Sequence, residues 1–184
     1  MVYTTYYDSP VGSLLLAEED GALVGLWMEG QKYFLGSLKR MPREERCTSV
    51  LRQTKDWLGH YFAGEQPAIG QLPLAPKGSA FRQEVWRVLC DIPYGHLTTY
   101  GEIARKIAAQ RGLASMSAQA VGGAVGHNPI SIVIPCHRVV DRFGGTKACF
   151  DTFAPGTQRA LLEAEGVSFR LDGTVDLAQC LWAP

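Results

Sequence analysis

The first thirty residues of the chain alternate between short runs of apolar, β-branched and aromatic residues and short polar turns. The runs cover Val2–Tyr7, Ser13–Ala17 and Ala22–Trp27, and the turns lie at Ser9–Gly12 and Glu19–Gly21. Strand-length runs joined by turn-forming residues predict two successive β-hairpins. This part of the chain is therefore expected to form an antiparallel sheet.

From Arg43 to Phe62 the apolar residues recur at helical spacing, which predicts an amphipathic helix that packs on the sheet. Its apolar face consists of Val50, Leu51, Trp57, Leu58, Tyr61 and Phe62. The segment from Gly70 to Gly78 contains two prolines and is typical of a linker. Beyond this linker the spacing of the apolar residues predicts another helix, which ends near Pro93–Gly95. One face of that helix holds Phe81, Val85, Val88 and Leu89.

The middle of the chain has the pattern of a helix-turn-helix. Thr99-x-x-Glu102 has the form of a capping box, so a helix is expected from there to about Gln110, where Gly112 breaks it. A second short helix, from about Ser117 to Val125, is rich in Ala and Gly. Its small residues allow a close approach either to a DNA groove or to a neighbouring helix.

The last third of the chain contains a buried strand and a final helix. His127–Pro129 stops the second helix, and the apolar run Ile130–Ile134 predicts the strand. A loop over Asp141–Pro155 leads to a helix over Gly156–Glu165, with Gly166 as its cap. Because strands come first and mostly helices follow the linker, the expected fold class is α+β.

Composition and charge narrow the class of protein. The chain has 184 residues, of which 46% are hydrophobic and 20% charged, as in a globular protein. No apolar run approaches the ~18 residues of a membrane span, and the N-terminus lacks a signal-peptide layout. Five cysteines without a CxxC pair argue against a disulfide framework and a Cys-rich zinc site. These features predict a cytoplasmic protein with no membrane association.

Residues 77–147 hold nine Lys/Arg against four Asp/Glu. A segment with a net charge of +5 could bind the phosphates of a nucleic acid, but a local charge imbalance of this size is also common on protein surfaces.

Cys136 is a candidate nucleophile, because it follows a proline directly after the predicted buried strand and precedes His137. A thiol reacts as the thiolate, and an adjacent histidine can take its proton directly or through a water. A third group usually orients the base. The carboxylates available for this are Asp141, Asp151, Glu163 and Glu165. The residues alone leave two interpretations open, a reactive cysteine or an inert buried one.

Several motifs, in order along the chain, bear on that choice. They are Ile92-Pro93-Tyr94-Gly95, Thr99-Tyr100-Gly101-Glu102-Ile103-Ala104, Ala120-Val121-Gly122-Gly123-Ala124, Asn128-Pro129-Ile130 and Ile134-Pro135-Cys136-His137-Arg138-Val139. Together they resemble the O6-alkylguanine-DNA alkyltransferases, also called methylated-DNA–protein-cysteine methyltransferases. Gly25-Leu26-Trp27 and Gly30-Gln31-Lys32-Tyr33-Phe34 resemble the N-terminal domain of the bacterial constitutive members.

The resemblance implies two domains. A ribonuclease-H-like αβ domain at 1–76 is followed by a helical alkyl-acceptor and DNA-binding domain at 77–184, which contains a winged-helix-type helix-turn-helix. It implies repair of double-stranded DNA by irreversible, single-turnover transfer of the alkyl group from guanine O6 to cysteine, without a cofactor. Transfer from O4-alkylthymine is left open. The zinc site of some relatives needs N-terminal Cys and His ligands. Only Cys47 precedes Cys90 here, so no metal is expected.

The resemblance also assigns roles to residues. Cys136 accepts the alkyl group, and His137 acts through a water and is oriented by Glu165. Asn128 tethers the helix-turn-helix near the site. Tyr100 supports nucleotide flipping and donates a proton or a hydrogen bond to the leaving guanine. The residues expected to contact DNA are Gln119, Arg138, Ala118, Ala120, Gly122 and Gly123. The expected substrate pocket consists of Tyr100, Val139, Phe150 and Phe153.

Two features depart from the family pattern. Many relatives carry an arginine that fills the gap left by the flipped base, and this chain has Gln119 there. The loop at 144–156 lacks the usual Thr-Gly-Tyr-Ala-Gly-Gly-like run and contains Cys149. Phe150 or Phe153 could replace the missing tyrosine as an aromatic wall of the pocket. Two interpretations of the altered loop stay open: the pocket accepts different substrates, or the loop sequence has drifted and the chemistry is unchanged. Cys149 could be a second acceptor, a redox partner of Cys136, or without function.

Three functions follow from these observations. The main one is a monomeric suicide alkyltransferase that acts on DNA carrying O6-alkylguanine. A lesion-sensing DNA-binding protein is the second, although non-enzymatic relatives lack the acceptor cysteine that is present here. An alkyl-acceptor scaffold with a pocket redirected to a donor other than DNA is the third.

Overall fold

The computed structural model describes residues 1–146 and 153–184, and its N-terminal part is a four-stranded sheet covered by a helix. The strands are β1 (Val2–Ser9), β2 (Gly12–Glu19), β3 (Ala22–Met28) and β4 (Arg43–Glu45), in the order β3-β2-β1-β4. The first three pair antiparallel, so the predicted hairpins are confirmed. At the second turn both Asp20 and Gly21 have positive φ, as a type I′ hairpin turn requires.

The first helix is shorter than its apolar pattern predicts. Arg43–Glu45 forms β4, which pairs parallel with β1, and helix α1 covers Ser49–Phe62. The side chain of Thr48 caps α1 by accepting a hydrogen bond from the Leu51 amide at 3.3 Å. The prediction of a helix from Arg43 is wrong, because this polar tripeptide gains ladder hydrogen bonds on the free edge of β1.

The C-terminal part is mainly helical. Its helices are α2 (Ala80–Cys90), α3 (Tyr100–Gln110), α4 (Ala118–Gly126), α5 (Thr157–Ala164) and α6 (Leu177–Cys180). A short parallel pair, β5 (Thr98–Thr99) and β6 (Val139–Val140), lies among them. The indole of Trp86 on α2 donates to the Ala124 carbonyl of α4 at 2.9 Å and so fixes two of these helices together. No helix in the described part of the chain is long and apolar enough to span a membrane.

The structure confirms the two helices of the helix-turn-helix pattern, and each begins at a residue whose side chain caps it. Thr99 accepts from the Glu102 amide at 3.2 Å and begins α3, while Ser117 accepts from the Ala120 amide and begins α4. Gly112 has a φ of +66° between the two helices, in the left-handed region that glycine adopts without strain. The predicted cap at Thr99 is therefore confirmed, and Ser117 is a second cap that was not predicted.

The run Ile130–Ile134 is buried as predicted, but it is a tight turn and not a strand. Ile132 has a φ of +69°, and the Ile134 amide bonds to the Ile130 carbonyl at 3.0 Å. The turn is anchored to the sheet, because the Leu26 amide donates to Pro129 and the Leu26 carbonyl accepts from Ser131. A β-branched residue in this conformation is strained, and its surroundings must hold it there. The turn places the next residues, Pro135 and Cys136, in the buried interior of the molecule.

Candidate active site

Cys136 lies on a single 3₁₀ turn, Cys136–Arg138, directly after the buried Ile130–Ile134 segment. The residue is 1% exposed and belongs to an apolar cluster that includes residues from the sheet and the helices. The buried Gln158 of α5 clamps the far side of the turn, since its amide nitrogen donates to the carbonyls of His137 and Val139 at 2.9 and 3.0 Å. The cysteine is therefore held in a fixed place by elements on both sides.

Among the candidate carboxylates that the structure describes, His137 pairs with Glu165. Its Nε2 lies 2.7 Å from Oε1 of Glu165, and both side chains are fully buried. Asp141 instead accepts two amides of its own loop, and the half-exposed Glu163 pairs with Arg159. Asp151 lies outside the described residues. The arrangement is the base-and-orienter pair expected of nucleophilic catalysis.

Arg138 lies inside this network and not on a surface that could meet DNA, which corrects the prediction from the sequence. The residue is 7% exposed. Its guanidinium donates to both carboxylate oxygens of Glu165 at 2.9–3.2 Å, and to the Ile92 carbonyl at 2.7 Å. Because a buried carboxylate needs a charge partner, Arg138 neutralises Glu165 and is not free for phosphate.

The charges of the network fix the protonation of His137. Burial would raise the pKa of Glu165, but His137 and Arg138 outweigh it and hold that pKa well below its usual range. Burial lowers the pKa of His137, with Glu165 acting in the opposite direction. The imidazole is therefore neutral at pH 7 and donates its Nε2–H to the carboxylate. Its Nδ1 is then the basic nitrogen, and that buried atom has no hydrogen-bond partner among the described residues.

These shifts predict how stability depends on pH. His137 and Glu165 both have lowered pKa values in the folded state, so the unfolded chain binds more protons. The free energy of unfolding should be greatest above the ordinary histidine pKa of 6.5 and should decrease as the pH falls through 6.5 and then 4.5. Urea denaturation at a series of pH values measures this. Stability that increases as the pH falls through that window would contradict it.

Tyr61 and the Gly95 amide complete the carboxylate site, and sequence reasoning missed both of these roles. The Tyr61 hydroxyl donates to Oε1 of Glu165 at 2.7 Å, and the Gly95 amide donates to Oε2 at 3.1 Å. Tyr61 was recognised only as an apolar position of α1. The available signal was its hydroxyl, since a buried tyrosine usually finds a polar partner.

Asn128 joins the end of α4 to the turn that carries Cys136. Its side-chain nitrogen donates to the Ile134 carbonyl at 2.8 Å, and its oxygen accepts from the Ile130 amide at 3.1 Å. The residue is 2% exposed. The asparagine thus satisfies backbone groups that the irregular turn would otherwise leave unpaired.

One face of α4 is open to solvent and consists of small residues around Gln119. Ala118, Gln119, Ala120 and Gly123 are exposed. A Cβ at Gly123 would meet no atom within 4 Å, so packing within the chain does not require glycine there. At Gly122 a Cβ would lie 3.7 Å from the ring of Tyr100, which places Tyr100, the first residue of α3, against α4.

The predicted pocket residues are partly described. Val139 and Phe153 are buried in the same apolar cluster as Cys136. Phe150 and Cys149 lie outside the described residues. Tyr100 packs against the same cluster, so the structure brings Tyr100, Val139 and Phe153 to the apolar surroundings of the cysteine.

The other described cysteines have settings that do not favour reaction. Burial, helped by Asp91, raises the pKa of Cys90 to about 11. Burial also raises the pKa of Cys180, whose thiol donates to the Asp176 carbonyl. Cys47 is exposed and lies next to Thr48 at the start of α1. Cys136 is the one among these that adjoins a buried histidine.

The fold and the site together define a class of protein in which a buried cysteine, followed by a His–Glu pair, occurs in the same chain as a helix-turn-helix. Two family models match the chain. The ribonuclease-like domain of 6-O-methylguanine DNA methyltransferase matches residues 2–76, and its DNA-binding domain matches residues 80–167. The chain therefore belongs to the 6-O-methylguanine DNA methyltransferase family, and the expected α+β class with a ribonuclease-like first part is confirmed.

Individual relatives agree with this assignment. The methylated-DNA–protein-cysteine methyltransferase of Haemophilus influenzae is 37% identical over 175 residues, which cover 94% of this chain and 91% of the relative. The constitutive one of Bacillus subtilis is 31% identical over 176 residues, covering 92% and 99%. Mycobacterium tuberculosis OGT in complex with DNA superposes with a TM-score of 0.69 at 38% identity, covering 89% of this chain and 91% of that one.

Proposed function

We propose that this protein repairs DNA by moving the alkyl group of O6-alkylguanine onto Cys136 in one irreversible step. The observation that carries the proposal is the buried pair of His137 and Glu165 at 2.7 Å, directly beside a cysteine in the position of the family motif. The related enzymes named methylated-DNA–protein-cysteine methyltransferases supply the reaction class. The transfer needs no cofactor or metal.

The step balances without any further reactant. The Cys136 thiol gives its proton through a water to Nδ1 of His137, which has no direct partner among the described residues, and the thiolate attacks the alkyl carbon from the side opposite the guanine oxygen. A sulfur–carbon bond forms and the carbon–oxygen bond breaks. The electron pair goes to the guanine oxygen, and a proton or hydrogen bond from the Tyr100 hydroxyl meets that charge. The thioether cannot be hydrolysed by this site, so each molecule reacts once.

The reacting carbon lies inside a base pair, so the nucleotide must first rotate out of the duplex, at a cost of roughly a few kcal/mol. The small residues of α4 allow a close approach to the groove, and Gln119 enters the space that the base leaves. Asn128 keeps α4 in register with the turn of Cys136. Positioning of sulfur and carbon then supplies much of the rate.

A stoichiometric titration tests the proposal. With excess duplex carrying O6-methylguanine, transfer should stop at one methyl group per chain. Continued turnover would contradict the one-step mechanism, and tight binding without transfer would favour a lesion sensor. Transfer from free O6-benzylguanine alone would favour the redirected pocket. We further infer that the protein acts as a monomer, because lesion recognition needs no palindromic partner. We also infer that it acts in the cytoplasm.

Replacing Gln119 by Arg should speed transfer from duplex DNA. Glutamine can hydrogen-bond the orphaned cytosine but brings no charge, whereas arginine adds attraction to the phosphates around the opened base pair. We expect a rate several-fold higher in single-turnover assays on duplex substrate. Gln110→Arg, at the end of α3, adds the same charge elsewhere and serves as the control. An unchanged rate for Gln119→Arg, or an equal gain in both variants, would contradict this role of position 119.

A further inference from the structure

Tyr61 reaches the active site from the helix that covers the N-terminal sheet. Its hydroxyl donates to Oε1 of Glu165 at 2.7 Å and lies 3.4 Å from Nε2 of His137. The residue is 3% exposed. A side chain of the N-terminal part therefore contacts the His137–Glu165 pair, both members of which lie in the C-terminal part.

Aromatic neighbours hold this hydroxyl in place. The ring of Tyr61 stacks parallel to Trp57, with centroids 5.7 Å apart and planes 5° apart. The rings of Phe62 and Tyr94 meet it at their edges, at 5.1 and 6.1 Å. His137 lies edge-on at 6.5 Å. With the ring fixed on these sides, the hydroxyl is preorganised toward one oxygen of Glu165.

Three side chains donate to that oxygen. The Nε2–H of His137 and the hydroxyl of Tyr61 both point at Oε1 of Glu165, and the guanidinium of Arg138 donates to the same oxygen at 3.0 and 3.2 Å. A carboxylate oxygen that already accepts a hydrogen bond stabilises a second positive donor less. Burial, followed by the charge of Glu165, raises the pKa of Tyr61 far above its ordinary value, so the hydroxyl stays protonated and remains a donor.

We propose that Tyr61 is a positioning residue that sets the basicity of His137 by binding Glu165. Through it, the N-terminal part of the chain tunes the group that takes the proton of Cys136. This inference rests on the proposed alkyl transfer and adds a tuning residue that the family motifs in this sequence do not contain.

The groups that face His137 define the expected direction of the effect. Glu165 faces it from the end of α5, Arg138 from its own turn, and Tyr61 from α1, with Cys136 adjacent in the chain. Removing only the Tyr61 hydroxyl leaves the charges of Glu165 and Arg138 unchanged. With one donor fewer, Oε1 of Glu165 stabilises protonated His137 more strongly although Arg138 still binds it, so the pKa of His137 rises.

The variant Tyr61→Phe keeps the ring and removes the hydroxyl. We expect the midpoint of the pH profile of the transfer rate, measured between about pH 5 and pH 8, to move upward by about one pH unit. Nitrogen-15 NMR of the imidazole gives the His137 titration without requiring activity, and it should move in the same direction. Tyr94→Phe is the control, because its hydroxyl bonds to the Ala164 carbonyl at 3.1 Å and not to the carboxylate.

A purely structural role would slow transfer equally at every pH and leave both midpoints unchanged. That result, or an equal shift in Tyr94→Phe, would overturn the proposal. If Tyr61→Phe proves unstable, the NMR titration of Tyr61→Met, which also lacks the hydroxyl, decides the question in its place. All these variants should still gain one alkyl group, so a failure of the tuning role is distinguishable from a failure of the proposed function.

Discussion

Glu165→Gln is expected to lower the free energy of unfolding by about 3–5 kcal/mol, the cost of removing one member of a buried ion pair. The carboxylate accepts hydrogen bonds from His137, Arg138, Tyr61 and the Gly95 amide, and its side chain is fully buried. Glutamine has one acceptor oxygen and no charge. The buried guanidinium of Arg138 would lose its counter-ion, and no carboxylate would orient His137. Transfer should slow by about a hundred-fold or more, as when general-base catalysis is lost.

The measurement is urea denaturation at pH 7 combined with single-turnover transfer. Glu163→Gln is a matched control two residues earlier, since its half-exposed carboxylate pairs with Arg159 on the same helix. Surface pairs of this kind contribute about 0–1 kcal/mol. Equal stability losses in the two variants would show that the buried network does not carry the energy assigned to it.

The parts of the fold that the sequence predicted are those governed by local rules. The hairpins followed from apolar runs and turn residues, and the start of α3 followed from the cap Thr99. A cap needs only three neighbouring residues, so its signal is complete within the sequence. The amphipathic helix was right in its apolar face and wrong in its start, because Arg43–Glu45 is held by β1, a partner far away along the chain.

The sequence predicted most residues of the candidate site, but it did not predict which of their side chains bond to one another. The choice of Glu165 among four carboxylates came from the family resemblance, because the pairing with His137 spans 28 positions. The inward position of Arg138 could not be read from the sequence, since an arginine beside a cysteine fits a DNA contact equally well. Tyr61 is 104 positions from Glu165, and only the packing of α1 against the C-terminal part brings them together.

The intact mass of the protein after incubation with duplex DNA containing O6-methylguanine tests the central claim most directly. The native chain should gain one methyl group, and peptide mapping should locate it on Cys136. Cys136→Ala should gain nothing while still folding and binding the duplex, because alanine is smaller than cysteine and leaves the His137–Glu165 pair in place. A native chain that gains no mass, or a Cys136→Ala chain that gains the same mass, would contradict the account.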